Sequence, residues 1–331
     1  RVMRMRKELE SGRLANVDSA LWVRESVIAS GGAAGTRAID VRPWRGISCR
    51  IYPDRGLDIG QAWFADTPLA WTSQVGETGP IEHLEGMAWG GAFGGGLLVT
   101  CGLRNVGMPS EGHGLHGTYS HLAASEVRTG VVVGEESAAV IISGVVEDSG
   151  APPPLRVERT IRIAAGVGRI DIEDATMNLG AEPAAAPLLY HCNFGYPLWA
   201  PPAHLEIDGV VATAARDSES EVALDSWHTP PEVEEAPERV LEHTVGSDAA
   251  EGSVVIVNRE LGVGVTVGWD RAELPRLNQW LDPNPGMAVL GVEPANCSTR
   301  GREFDRAAGT LPWLEPAQVR KTHVWIEAST L

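Results

Sequence analysis

Two histidines and one glutamate stand out as residue types able to move protons. They are His116 in Gly112-His113-Gly114-Leu115-His116-Gly117, His191 in Leu189-Tyr190-His191-Cys192-Asn193-Phe194-Gly195-Tyr196-Pro197, and Glu293 in Gly291-Val292-Glu293-Pro294. A carboxylate accepts a proton at neutral pH, and an imidazole can give or take one. Brought to one point, the two make a general acid/base pair. Each lies in a strand-turn context rich in glycine or aromatic residues, where a side chain can be held in one pose. The residues alone leave alternatives open: Glu293 after the apolar run 287–292 could face solvent at a strand end, and His191 could be a satisfied core histidine.

Other side chains could bind rather than react. His113, His116 and His121 fall within nine residues, with Glu111 just before them, so a metal site is one reading and ordinary turn residues another. The glycine-rich 90–96 segment upstream permits close backbone approach but is not a phosphate cradle, because no Gly-Lys-Ser/Thr follows it. Arg55 and Arg104 each lie in a glycine-bearing turn and could hold hydroxyls or an anionic substituent. Gln279 and Trp280 sit together, and Trp280 and Trp89 could stack on an apolar ring face. Eleven tryptophans against four phenylalanines suit such a cleft.

These groups must be positioned by strands. Apolar residues alternate at Leu155, Val157, Ile161 and Ile163, at Val263, Val265, Val267 and Trp269, and at Val324, Ile326 and Ala328, each the period-two face of a half-buried strand. Helical periodicity is scarce. Most of the 38 glycines and 22 prolines fall between these runs, as turn punctuation should. No repeat of roughly 20–50 residues emerges, which argues against a propeller. The expectation is one all-β antiparallel sandwich over residues 1–331. The acidic stretch from Ala212 to His243 reads as a surface excursion, and Arg1 to Gly12 as a short helix or an extended arm.

Composition excludes some partners. A net charge of −17 would repel nucleic-acid phosphates over most of the surface. No apolar run approaches the roughly 20 residues needed to cross a bilayer. The basic start (Arg1, Arg4, Arg6, Lys7) leads into Glu8 and Glu10 rather than an apolar signal segment, so a soluble, cytoplasmic protein is expected. Cys49, Cys101, Cys192 and Cys297 are widely spaced and read as buried thiols.

Gly114-Leu115-His116-Gly117 and Tyr190-His191-Cys192-Asn193-Phe194-Gly195 resemble, in order and separation, the Leu-His-Gly and His-x-Tyr-Phe-Asn segments of the aldose 1-epimerases (mutarotases). Leu311-Pro312-Trp313-Leu314-Glu315-Pro316 before the last strand is similar to that family's end, so the resemblance spans residues 20 to 330. Asp54-Arg55-Gly56-Leu57-Asp58-Ile59-Gly60 and Thr100-Cys101-Gly102-Leu103 are similar to a divergent branch with poorly defined substrates. The resemblance implies a galactose mutarotase-like β-supersandwich, mainly antiparallel with few short helices, and a carbohydrate cleft on a concave sheet. It implies Glu293 as base, His191 as general acid and His116 as the second histidine near the ring oxygen. His113, Arg55, Arg104, Gln279 and Trp280 are the candidate sugar contacts, and Asp282 is the nearest match to the family's hydroxyl-binding aspartate.

The chemistry asks for the same types independently. Anomer exchange needs a base at the C1 hydroxyl and an acid at the ring oxygen, and requires no cofactor. The order Cys-Asn-Phe after His191 departs from the family pattern, so a modified or acidic aldose is as reasonable a ligand as a common hexose. Two other readings stand beside this one: a metal-assisted sugar isomerase or lyase using His113, His116 and His121, and a non-catalytic carbohydrate-binding sandwich.

Overall fold

The computed structural model describes residues 5–135, 137–246 and 250–331, so Arg1 and Arg4 lie outside the described residues. The alternating runs form strands. Leu155, Val157, Ile161 and Ile163 point inward from Leu155–Ala165, and Val263, Val265, Val267 and Trp269 from Val263–Asp270. Three α-helices are described, Met5–Glu10, Ala88–Gly91 and Arg302–Ala307, all short. Among the described residues no helix is long and apolar enough to cross a membrane.

Two large sheets carry the architecture. One has eight strands in the order His204–Ile207, Glu251–Asn258, Val263–Asp270, Val319–Thr330, Gly168–Asn178, Leu155–Ala165, Ala138–Asp148 and Ser125–Val133. The other has six, in the order Val210–Ala215, Arg239–Val245, Arg276–Asp282, Val289–Ala295, Leu188–Phe194 and Val99–Gly102. A five-stranded N-terminal sheet runs from Leu21–Val27 to Thr67–Pro68 and meets the six-stranded one through the Ile59–Leu98 and Ala70–Phe194 bridges. Pairings between named strands are antiparallel. The stretch from Ala212 to His243 departs from expectation. It is not only a surface excursion, because its two ends are strands of the six-stranded sheet.

Period-two alternation decides which side of that sheet faces which environment. Tyr190, Cys192 and Phe194 point into the main core against Ile161, Ile172, Val265 and Ile326 of the eight-stranded sheet. Leu189, Val240, Trp280, Val289 and Ala295 occupy the opposite face, in a second apolar cluster. His191 and Glu293 share this second face by parity. The core side is anchored by a buried ionic network. Arg159, fully enclosed, donates to both oxygens of Asp174 (2.8 and 2.7 Å), to Asp58 (3.1 Å) and to Thr100 (2.9 Å). The Tyr190 hydroxyl donates to Asp174 at 2.6 Å, which ties the strand bearing His191 to the eight-stranded sheet. Burial pushes Asp58 up to about 6, with Arg159 pulling it back. Removing one partner from such a network typically costs about 3–5 kcal/mol.

Candidate active site

Sheet register brings His191 and Glu293 together. The pairs Leu189↔Ala295 and Cys192↔Val292 place His191 across from Glu293 on neighbouring interior strands, and His191 Nε2 lies 3.1 Å from Glu293 Oε1. Glu293 is inside its strand and only 2% exposed, so it does not face solvent. Gly291 precedes it on the same face and makes room: an added Cβ would sit 2.8 Å from Glu293 Oε1, 3.0 Å from Trp280 Cβ and 3.2 Å from His191 Cε1. Gly291→Ala should therefore separate the pair while costing about 1–3 kcal/mol of stability. Imidazole ¹⁵N shifts of His191 and the unfolding midpoint check this; unchanged His191 shifts would show that the pair tolerates the methyl group.

Burial sets the protonation. It pushes Glu293 up to about 8, helped by the Glu238 carboxylate and opposed by Arg216. It pushes His191 down to about 4. At neutral pH the pair is thus a protonated carboxyl and a neutral imidazole joined by one hydrogen bond. His191 Nδ1 has no protein partner.

His116 is held differently, by backbone. It adopts φ 56°, its N–H donates to the Gly107 carbonyl at 3.0 Å, and the Gly107 N–H donates to its Nδ1 at 3.2 Å. Burial takes its pKa down to about 3, with His191 as a second cause. A neutral ring that accepts at Nδ1 carries its proton on Nε2, so His116 is a fixed donor. Its ring centroid lies 4.6 Å from Trp89 and 5.9 Å from His191, edge-on to the latter.

These groups open on a cavity of about 280 Å³. Trp89, Phe93 and Trp280 form aromatic walls, with Trp89 stacked on Phe93 at 4.7 Å and Trp280 edge-on to His191 at 5.4 Å. Met87 and Met108 line it while 57% and 45% exposed, so they sit at the rim. Arg216, Glu238, Asp282 and Thr299 complete the polar lining. Glu238 accepts from Trp280 Nε1 at 2.9 Å and pairs with Arg216 at 3.2 Å, while Arg216 also bonds Asp217 at 2.8 Å.

Of the expected contacts, Trp89, Trp280 and Asp282 line this cavity, whereas Gln279, Arg55, Arg104 and His113 do not. Gln279 is corrected by strand parity. Adjacent residues face opposite sides, and Gln279 points to the core face, 2.8 Å from His243 and donating to the Trp227 carbonyl at 2.7 Å. Arg55 is buried against Ser120, Thr78 and His121 and lines a separate cavity of about 40 Å³. Arg104 is spent on Asp148 and the Ala151 and Pro153 carbonyls. His113 closes a tight exchange with Ser110 and stays outside the cavity, and His121 Nδ1 accepts from the Ile81 N–H at 3.1 Å. The three clustered histidines therefore point to different partners, and among the described residues no three His, Cys, Asp or Glu side chains are grouped to hold a metal ion.

The cation missed in the sequence is Arg216, with Glu238 beside it. Its one signal was Arg216-Asp217 inside an acidic stretch, which read as a surface excursion.

The family described as Domain of unknown function (DUF4432) matches residues 33–328. The chain belongs to the DUF4432 family. No curated protein matches it. Solved structures show what this DUF4432 chain is built like. A candidate aldose 1-epimerase from Klebsiella pneumoniae subsp. pneumoniae is 20% identical at a TM-score of 0.85, covering 95% of this chain and 88% of that one. A galactose mutarotase-like protein from Clostridium acetobutylicum is 13% identical at 0.65, covering 95% and 100%. A galactose 1-epimerase from Lactobacillus acidophilus NCFM is 10% identical at 0.58, covering 94% and 99%. At such identities the likeness shows the fold, which is the galactose mutarotase-like β-sandwich that the sequence resemblance implied.

Proposed function

We propose that this DUF4432 protein interconverts the anomers of an uncharged aldose, as an aldose 1-epimerase does. The observation that carries the reading is the 3.1 Å contact between His191 and Glu293 on the floor of an aromatic-walled cavity. The pair holds one transferable proton. Its shift from Glu293 to His191 across the hydrogen bond creates a carboxylate and an imidazolium without exchange with solvent. Glu293 then removes the C1 hydroxyl proton while His191 protonates the ring oxygen; the C1–ring-oxygen bond breaks and the aldehyde forms. This leaves Glu293 protonated and His191 neutral. After rotation about C1–C2, the ring closes on the other carbonyl face as His191 takes back the hydroxyl proton and Glu293 protonates the new C1 oxygen. The Nε2–H of His116 supplies a fixed donor for a sugar oxygen, and Trp280 and Phe93 offer faces for the apolar side of the ring.

An acidic aldose, left open beside a common hexose, finds no support in Arg55 or Arg104, because neither reaches the cavity. Arg216 does, but Glu238 and Asp217 already match its charge. Glu238 and Asp282 also line the space, so an anion would meet more carboxylates than guanidinium.

The proton count predicts a pH profile. Below about 4 His191 gains a second proton for the pair and no base remains; above about 8 Glu293 loses the only proton and no acid remains. The value of kcat/KM, read by anomer-exchange NMR above the spontaneous rate, should be level between these limits and fall about tenfold per pH unit outside them. Flanks at 4.5 and 6.5, the ordinary values, would reject the buried pair as the proton machinery. Absence of faster exchange with any aldose would remove the epimerase reading altogether.

A further inference from the structure

We infer that Arg216 binds the sugar directly, donating a free guanidinium N–H to one hydroxyl, and so helps decide which aldose is accepted; the inference rests on the carbohydrate reading of the cavity. A guanidinium carries five N–H donors in a fixed fork. In Arg216, Nε donates to Asp217 Oδ2 at 2.8 Å and Nη2 to Glu238 Oε1 at 3.2 Å, whereas Nη1 has no partner among the described residues. Nη1 is not one of the unpaired polar atoms sealed inside the protein, so it keeps accessible surface. Arg216 lines the cavity, and its charge is felt by the groups there. Burial and Glu238 raise Glu293 while Arg216 opposes them; burial lowers His116, with His191 and then Arg216 adding to it. Glu293 stands on an interior strand and His116 in a loop, so a charge that reaches both is turned toward the space they share.

Its pose is fixed at both ends. The Arg216 backbone N–H donates to the carbonyl of Val240, another residue of the lining, at 2.9 Å. Each carboxylate that grips the guanidinium is pinned in turn: Asp217 Oδ1 accepts from the Ser220 N–H at 3.0 Å, and Glu238 Oε2 from Trp280 Nε1 at 2.9 Å. Two carboxylates against one guanidinium leave no positive charge to spare for an anion, but they leave a donor. The complement of that donor is an uncharged acceptor, which an aldose supplies as a hydroxyl. Trp280 and Arg216 are joined through Glu238, so the apolar face and the donor meet the sugar in a set relation.

The test crosses Arg216→Met and the charge-balanced pair Arg216→Met/Glu238→Gln with neutral aldopentoses and aldohexoses, and with monodeoxy analogues of the sugar bound best. Binding is read by ligand-observed NMR and turnover by anomer exchange. In the wild type, one deoxy position should weaken binding about tenfold, the loss expected for a hydrogen bond from a charged donor. Both variants should bind the parent sugar about tenfold more weakly and should lose the penalty at that position alone. Arg216→Met leaves two carboxylates unmatched and can lose stability on that account, whereas the double variant keeps the charge count. The inference is overturned if either folded variant keeps the wild-type deoxy pattern: a merely structural role would weaken parent and analogues alike and leave that pattern in place. The two readings fail separately. An Arg216-dependent deoxy pattern in binding without faster anomer exchange would uphold Arg216 and sink the epimerase, and faster exchange with the pattern unchanged in the variants would do the reverse. A wild type that binds none of these sugars overturns both.

Discussion

Glu293→Gln should slow anomer exchange by about 10²–10⁴, because the amide keeps the shape of the carboxyl but can neither take nor return a proton. Sugar binding should persist, so the loss should appear in kcat more than in KM. Near-normal exchange would remove Glu293 from the chemistry. The same variant has a second, opposite effect on stability. The folded pKa of Glu293 is raised from 4.5 to about 8, so its contribution is fully present below 4.5 and lost as pH rises through 8, where a buried carboxylate must be tolerated. Glutamine avoids that charge. Thermal unfolding at pH 9 should therefore favour the variant over the wild type, while near pH 4 the two should differ little.

His191→Asn should cost a similar factor, about 10²–10⁴, since asparagine cannot carry the proton to the ring oxygen. Because the two residues act as one unit, the double variant should be scarcely worse than either single one. Losses that multiply would mean two independent roles and would break the shared-proton scheme. His113→Asn should leave exchange nearly intact, as His113 stays outside the cavity. The matching change at His121 should show as lost stability, because the ring accepts a backbone N–H in a buried place.

The sheets were legible in the sequence wherever one face is buried and the other is not. The runs at Leu155–Ile163 and Val263–Trp269 alternate because a strand has period two, and no tertiary knowledge is needed to see it. The residue types His116, His191 and Glu293 were legible as chemistry. Their meeting was not, since it depends on a register between strands a hundred residues apart. The same blindness grouped Gln279 with Trp280, although parity sends them to opposite faces. Arg55 and Arg104 drew attention by sitting in glycine turns, whereas Arg216 was hidden in an acidic stretch. The strand before it, Val210–Ala215, is an edge strand with mixed burial and so lacks the alternation that marks interior strands.

His191 and Glu293 stand on adjoining interior strands, while His116, Thr299, Arg216, Glu238, Met87 and Met108 come from the segments between strands. Strand spacing is among the least adjustable distances in a protein, whereas loops accept substitution and insertion. On the epimerase reading, the proton-moving pair is therefore inherited on strands and most of the cavity rim on the segments between them. On the same reading, a randomised library confined to the rim residues Met87 and Met108, which carry no charge toward Glu293 or His191, would explore new monosaccharides while leaving that pair intact.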